Sequence, residues 1–117
     1  QLVTDAEIYM GCAVVFSDSV PAELSVVVPQ AANDLLTING VEASFVAVDN
    51  GAQVSVSARS MGDVNVQVIM EKLGGGGHLT MAGAQLRNVS LEEAKRRLLD
   101  AISEYRESQR TEKQKNS

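Results

Sequence analysis

Apolar residues along this chain alternate between two spacings, and the switches between them mark the elements. Cys12-Ala13-Val14-Val15-Phe16 is an unbroken apolar run closed by Ser17-Asp18-Ser19, which predicts a buried strand and then a turn. Leu24, Val27, Val28, Ala31 and Leu35 recur at helical spacing between Pro21, suited to a first helical turn, and the stop signal Asn39-Gly40. Pro29 falls inside that pattern, so either one helix kinks there or two shorter helices meet. Residues 41–48 and 53–58 read as strands, the second with Val54 and Val56 alternating against Ser55 and Ser57. Asn50-Gly51 between them is a strong hairpin signal, so the two are expected to pair antiparallel.

Beyond Arg59-Ser60-Met61-Gly62, Asp63 is an acceptable helix cap. Val66, Ile69, Met70 and Leu73 then follow at i, i+3, i+4, i+7. Leu79-Thr80-Met81-Ala82 is expected to make one helical turn and residues 83–86 a short strand. Ser90-Leu91-Glu92-Glu93 has the form of a capping box, in which the serine accepts from the Glu93 N–H and the Glu93 side chain reaches back. Leu91, Ala94, Leu98, Ile102 and Tyr105 form the apolar stripe of the helix it opens, with Glu92/Arg96 and Glu93/Arg97 spaced for ion pairs. Apolar residues are absent from Arg106 onward, so 106–117 is expected to be a frayed or disordered tail. The sum is an α/β (α+β) domain over 1–105, a small mixed sheet of about four to five strands covered by three helices.

With 117 residues, 44% hydrophobic and 21% charged, the chain has the profile of one globular domain. It begins at Gln1, without a signal-peptide pattern or a bilayer-spanning apolar run, and reads as a piece of a longer protein. A net charge of −5 argues against a sequence-blind grip on duplex nucleic acid, which rests on many cationic side chains. The aromatics are few, at 3%, which leaves little for a single-strand stacking platform. Cys12, the one cysteine, sits among apolar neighbours with no activating base nearby in sequence, and reads as a buried strand thiol.

Candidate chemistry concentrates at Gly74-Gly75-Gly76-Gly77-His78, four glycines followed by the one histidine. Without Cβ atoms, successive main-chain N–H groups can line a concavity that suits phosphate oxygens. A plain flexible linker is the competing reading, although this run lies between two ordered-looking segments. His78 can donate to a phosphate from either ring nitrogen, or act only as a packing or capping residue. Arg59 and Ser60 end an alternating strand and present a guanidinium fork and a hydroxyl; a surface ion pair from Arg59 to Asp63 is the alternative. Asn65 and Gln67 offer amide contacts, unless Asn65 caps its helix. One histidine and scattered carboxylates give no ligand spacing for a metal centre, and no G-x-S-x-G elbow supports serine catalysis.

Arg59-Ser60-Met61-Gly62, then Asn65-Val66, then Leu73 leading into the glycines and His78, with Ala82-Gly83 beyond, resemble the DHH-associated C-terminal domain of DHH-family phosphoesterases. The resemblance covers roughly residues 8–105. Within that family, residues 41–45 and 65–70 and His78-Leu79-Thr80 are most similar to the membrane-anchored cyclic di-AMP phosphodiesterases of the GdpP type. The resemblance implies a parent hydrolase whose N-terminal DHH domain holds two manganese ions, while the associated domain closes over the cleft and binds substrate. Gly75, Gly76, Gly77 and His78 would then contact phosphate or base with Arg59 and Ser60 beside them, and Asn65, Gly74 and Thr80 complete the implied binding set. No catalytic residue, metal ligand or cofactor is expected in this chain, which by itself would bind without cleaving. The implied parent is anchored in the bacterial cell membrane with this domain on the cytoplasmic side, takes part in signalling, and can be a homodimer. Two alternatives stay open: the same domain of an oligoribonuclease or pAp-phosphatase type of DHH enzyme, and a non-catalytic nucleotide-binding or dimerisation module.

Overall fold

The structure, a computed structural model, describes residues 6–18 and 27–115, with the side chains of 27–29 and 113–115 left aside. Its strands are β1 (Glu7–Tyr9), β2 (Cys12–Ser17), β3 (Ala43–Asp49), β4 (Gln53–Ser60), β5 (Gly76–Gly77) and β6 (Met81–Arg87), and its helices α1 (Val27–Leu35), α2 (Val66–Glu71) and α3 (Leu91–Lys115). The strands form one six-stranded sheet in the order β1-β2-β3-β4-β6-β5. Only β2 and β3 run parallel, joined through α1; the other neighbours are antiparallel. This is the expected mixed sheet with three helices, enlarged by β1 and by the two-glycine β5. The helical turn expected over 79–82 is absent: Leu79 and Thr80 form the tip between β5 and β6, and Met81 and Ala82 already belong to β6.

Alternation along the strands divides two cores. Val14, Phe45, Val54, Val56 and Ala84 face α2 and α3 and pack with Ile69, Met70, Leu98 and Ile102. Ala13, Val15, Val46 and Val48 point to the other side, where Ala32 and Leu35 of α1 close over them. Burial of each large side chain, such as Phe45 or Leu98, contributes about 1.5–3 kcal/mol. Asn50 Oδ1 accepts from the N–H groups of Ala52 and Gln53, which fixes the expected hairpin between β3 and β4. Pro29 lies in the first described turn of α1; the expectations for Pro21 and Leu24 fall outside the described residues.

Ser90 Oγ accepts from Glu93 N at 3.0 Å and so caps α3 as expected, but the Glu93 carboxylate turns forward to Arg96 and Arg97 instead of closing the box. Arg96 consequently pairs with Glu93 and Asp100, not with Glu92. Beyond Arg106, α3 continues to Lys115. Arg106 Nε donates to Met10 O at 3.0 Å, its Nη2 pairs with Glu42, and Gln109 Nε2 donates to Asp63 O at 3.0 Å, so polar contacts hold the helix where the apolar stripe has ended.

Candidate functional site

The face on which α1 packs, with its apolar contacts on β2 and β3 and its reach extending to β4, continues across β4 and β6 with different residues. Gln53, Ser55, Ser57 and Arg59 on β4 stand opposite Arg87, Gln85, Gly83 and Met81 on β6, and none of them belongs to either core. Strict alternation puts them on the α1 side, because Arg59 is the cross-strand partner of Ser44 and Ser57 that of Val46. Beyond β6, the register pairs Gly76 with Gly83 and Gly77 with Ala82. His78 and Met81 then exchange both main-chain bonds, at 2.7 and 3.3 Å.

A single row therefore crosses the open face: Arg59 on β4, Met81 on β6 and His78 at the end of β5. Side chains of directly paired residues lie on the same side, and two strand spacings separate the ends of the row by about 10 Å. Met81 is 52% exposed, and the His78 imidazole is exposed without a partner among the described residues. Arg59 is half-buried, and burial pushes its guanidinium pKa down. Its Nη1 donates to Ala58 O at 2.8 Å, but its buried Nε has no acceptor, and no ion pair joins it to Asp63. The Nε is shielded from solvent, whereas Nη2 makes no hydrogen bond among the described residues and is the donor an anion can reach.

The four glycines differ in their surroundings. A Cβ on Gly75 would overlap Gly83 O and lie 2.7 Å from Ala84 Cα, and a Cβ on Gly77 would lie 2.5 Å from Ala82 Cα. These two let β5 lie against β6. Gly74 has φ +86 and turns the chain out of α2. Gly76 has an ordinary φ and nothing within 4 Å of an added Cβ, so the fold sets no demand for glycine there. Because His78 and Met81 form a hydrogen-bonded pair, ladder alternation turns the Gly77 N–H away from β6, toward the open edge.

Two other predicted residues serve the scaffold. Ser60 is buried; its Oγ donates to Val64 O at 2.6 Å and accepts from Gly62 N, while its N–H donates to Thr80 O. Asn65, not Asp63, caps α2, with Oδ1 accepting from Gln67 N and Val68 N. The Asn65 N–H donates to Tyr105 Oη at 2.8 Å, which ties α2 to α3. Gln67 is bonded to Glu71. Thr80 is exposed at the hairpin tip. Met81, Ser57 and Gly83 were not foreseen as neighbours of the site, although the period-two pattern from Met81 to Arg87 could have placed them on one face.

Cys12 lies on β2, between β1 and β3, completely buried, and burial raises its thiol pKa against the opposing effect of Arg106. No three His, Cys, Asp or Glu side chains gather into a metal-ligand set among the described residues. No described helix is long and apolar enough to cross a membrane.

Residues 21–108 match the family model of the DHHA1 domain. Cyclic-di-AMP phosphodiesterase GdpP of Geobacillus thermodenitrificans is 52% identical over 96 residues, which is 81% of this chain and 15% of that protein. Cyclic-di-AMP phosphodiesterase PdeA of Listeria monocytogenes is 45% identical over 107 residues, 90% of this chain and 16% of that protein. The chain thus spans about one sixth of the length of these relatives. Among solved structures, an exopolyphosphatase-related protein from Bacteroides fragilis superposes with a TM-score of 0.76 at 20% identity, over 89% of this chain and 32% of that one, and so shares the fold. With the match to its model covering both sheet faces and the glycine loop, the chain belongs to the DHHA1 domain family.

Proposed function

We propose that this domain is the substrate-holding part of a DHH-family phosphodiesterase that opens cyclic di-AMP to linear pApA, with substrate phosphate held between Arg59 and His78. The observation that carries this reading is the row on the polar half of the face, where a half-buried guanidinium with an unpartnered Nη2 and an exposed imidazole flank the exposed Met81. The similarity to named cyclic-di-AMP phosphodiesterases supports the choice of substrate. Of the residues expected to bind, Arg59, Gly76, Gly77 and His78 would touch the ligand, with Thr80 at its margin. Ser60, Asn65, Gly74 and Gly75 hold the shape around them.

Arg59 contributes a charge-assisted hydrogen bond, and the edge N–H of Gly77 and the His78 ring contribute donors that need no rearrangement. Placing the phosphodiester in register is itself catalytic, because a misplacement of about 1 Å costs on the order of 100-fold in rate. The two manganese ions implied for the parent would supply the activated hydroxide. The described residues form no ligand set for them, and by the same resemblance they would be held by the DHH domain of the parent. By the same resemblance the parent is membrane-anchored, with this domain on the cytoplasmic side, and the isolated domain binds without cleaving.

Titration of the isotope-labelled chain with cyclic di-AMP, followed by amide NMR shifts, tests the reading. Saturable shifts are expected at Arg59, Gly76, Gly77 and His78, weakened at least tenfold by Arg59→Ala or His78→Ala. Shifts that map to α3, or variants that bind as tightly as the parent sequence, would overturn it.

A further inference from the structure

Met81 opens β6. It is the one large apolar side chain among the open-face positions of β4 and β6, where its neighbours are Gln53, Ser55, Ser57, Arg59, Gly83, Gln85 and Arg87. It lies between the two groups proposed to hold phosphate and is 52% exposed. Next to it, one pleat along, Ser57, Gly83 and Gly76 pair across three strands and leave a floor almost without side chains. Farther on, Ser55 Oγ donates to Gln85 Oε1 at 2.7 Å and Gln53 bonds the same oxygen, so this end is closed by a fixed polar cluster. A flat, side-chain-poor surface bounded by a thioether at one end accepts a planar ring.

The aromatic residues cannot supply that surface. Phe45 is buried in the core under α2 and α3, and Tyr9, Phe16 and Tyr105 pack against the same core, on the other side of the sheet. A polarisable, unbranched thioether makes favourable contacts with aromatic rings and adapts to their tilt. We infer that Met81 is a base-contacting, specificity-determining residue: a nucleobase of the bound nucleotide lies against its side chain and over the Ser57–Gly83–Gly76 floor, while phosphate engages Arg59 and His78. This rests on the proposed nucleotide site and adds to it the group that reads the base.

The chain has four methionines, Met10, Met61, Met70 and Met81, so a methyl-labelled sample resolves the question directly. Titration with cyclic di-AMP is expected to move the Met81 methyl signal upfield through the ring current of adenine. Met10, on the β1–β2 turn, and Met70, in the core, stay in place, and inorganic pyrophosphate leaves Met81 unshifted. Met81→Ser should weaken cyclic di-AMP binding about tenfold, in line with the loss of one base contact, and leave pyrophosphate affinity within twofold. An unmoved Met81 methyl, while the Gly76, Gly77 and His78 amides saturate, would overturn the base contact and leave the phosphate site standing. Loss of all these shifts in the unmodified chain would overturn both. Equal weakening of pyrophosphate and cyclic di-AMP by Met81→Ser would assign Met81 to the shape of the loop and reject the inference.

Discussion

The two halves of one sheet face carry opposite vocabularies. Over β2 and β3 it is written in Ala13, Val15, Val46 and Val48 and packs against α1, which reaches as far as β4; over β4 and β6 it is written in serine, glutamine, glycine, arginine and one methionine. The backbone is continuous and Val46 and Ser57 are direct cross-strand partners, so only the side chains change. A strand with one core face and one such polar face is only half given over to the core, and its polar half holds hydrogen-bonding groups fixed in place by the sheet. Within the glycine loop the same division is repeated on a smaller scale, Gly75 and Gly77 facing β6 and Gly76 facing open space.

Three experiments would break or sharpen this contrast. The largest effect is expected from Gly75→Ala, whose Cβ meets main-chain atoms that cannot give way; destabilisation by more than about 3 kcal/mol should appear in urea unfolding. Gly76→Ala should instead be neutral or stabilising by up to about 1 kcal/mol, since its φ is ordinary and its surroundings empty. Equal losses at both positions would end the distinction between them. Next, Val46→Ser should destabilise by about 2–3 kcal/mol through lost burial and an unpaired hydroxyl, whereas Ser57→Val on the neighbouring strand should stay within about 0.5 kcal/mol. A large penalty at Ser57 would mean that this half of the face is covered after all.

The smallest effect lies far from both halves, at the start of α3. Hydrogen bonds from Arg96 and then Arg97 hold the Glu93 pKa at about 2, below the ordinary 4.5. A depressed carboxylate pKa adds stability that is complete above pH 4.5 and fades as pH falls toward 2. Comparing unfolding at pH 7 and pH 3 should show Glu93→Gln losing less on acidification than the parent sequence. Because the carboxylate is exposed, the difference should shrink in high salt.

Local signals were legible wherever one residue type determines one backbone event. Asn50-Gly51 gave the hairpin, Ser90 the cap of α3, and the stripe from Leu91 to Ile102 its buried face. β1 and β5 were not legible, because three residues and two glycines carry no period to detect. The helical turn expected over 79–82 gives way to a strand because Met81 and Ala82 are equally apolar in sequence, and only the register assigns them to opposite faces. Arg59 and His78 were visible as unusual polar residues at breaks in the pattern. The destinations of Ser60 and Asn65 were not, since their partners Val64, Tyr105 and Thr80 are set by tertiary packing that spacing alone does not encode.

Both borders of the sheet are short: Glu7–Tyr9 on one side and Gly76–Gly77 on the other. A stretch of two or three residues offers too few unpaired main-chain groups to template another strand, so neither border invites polymerisation with a second molecule. The same brevity that leaves the Gly77 amide unpaired at the glycine border denies it to a foreign polypeptide.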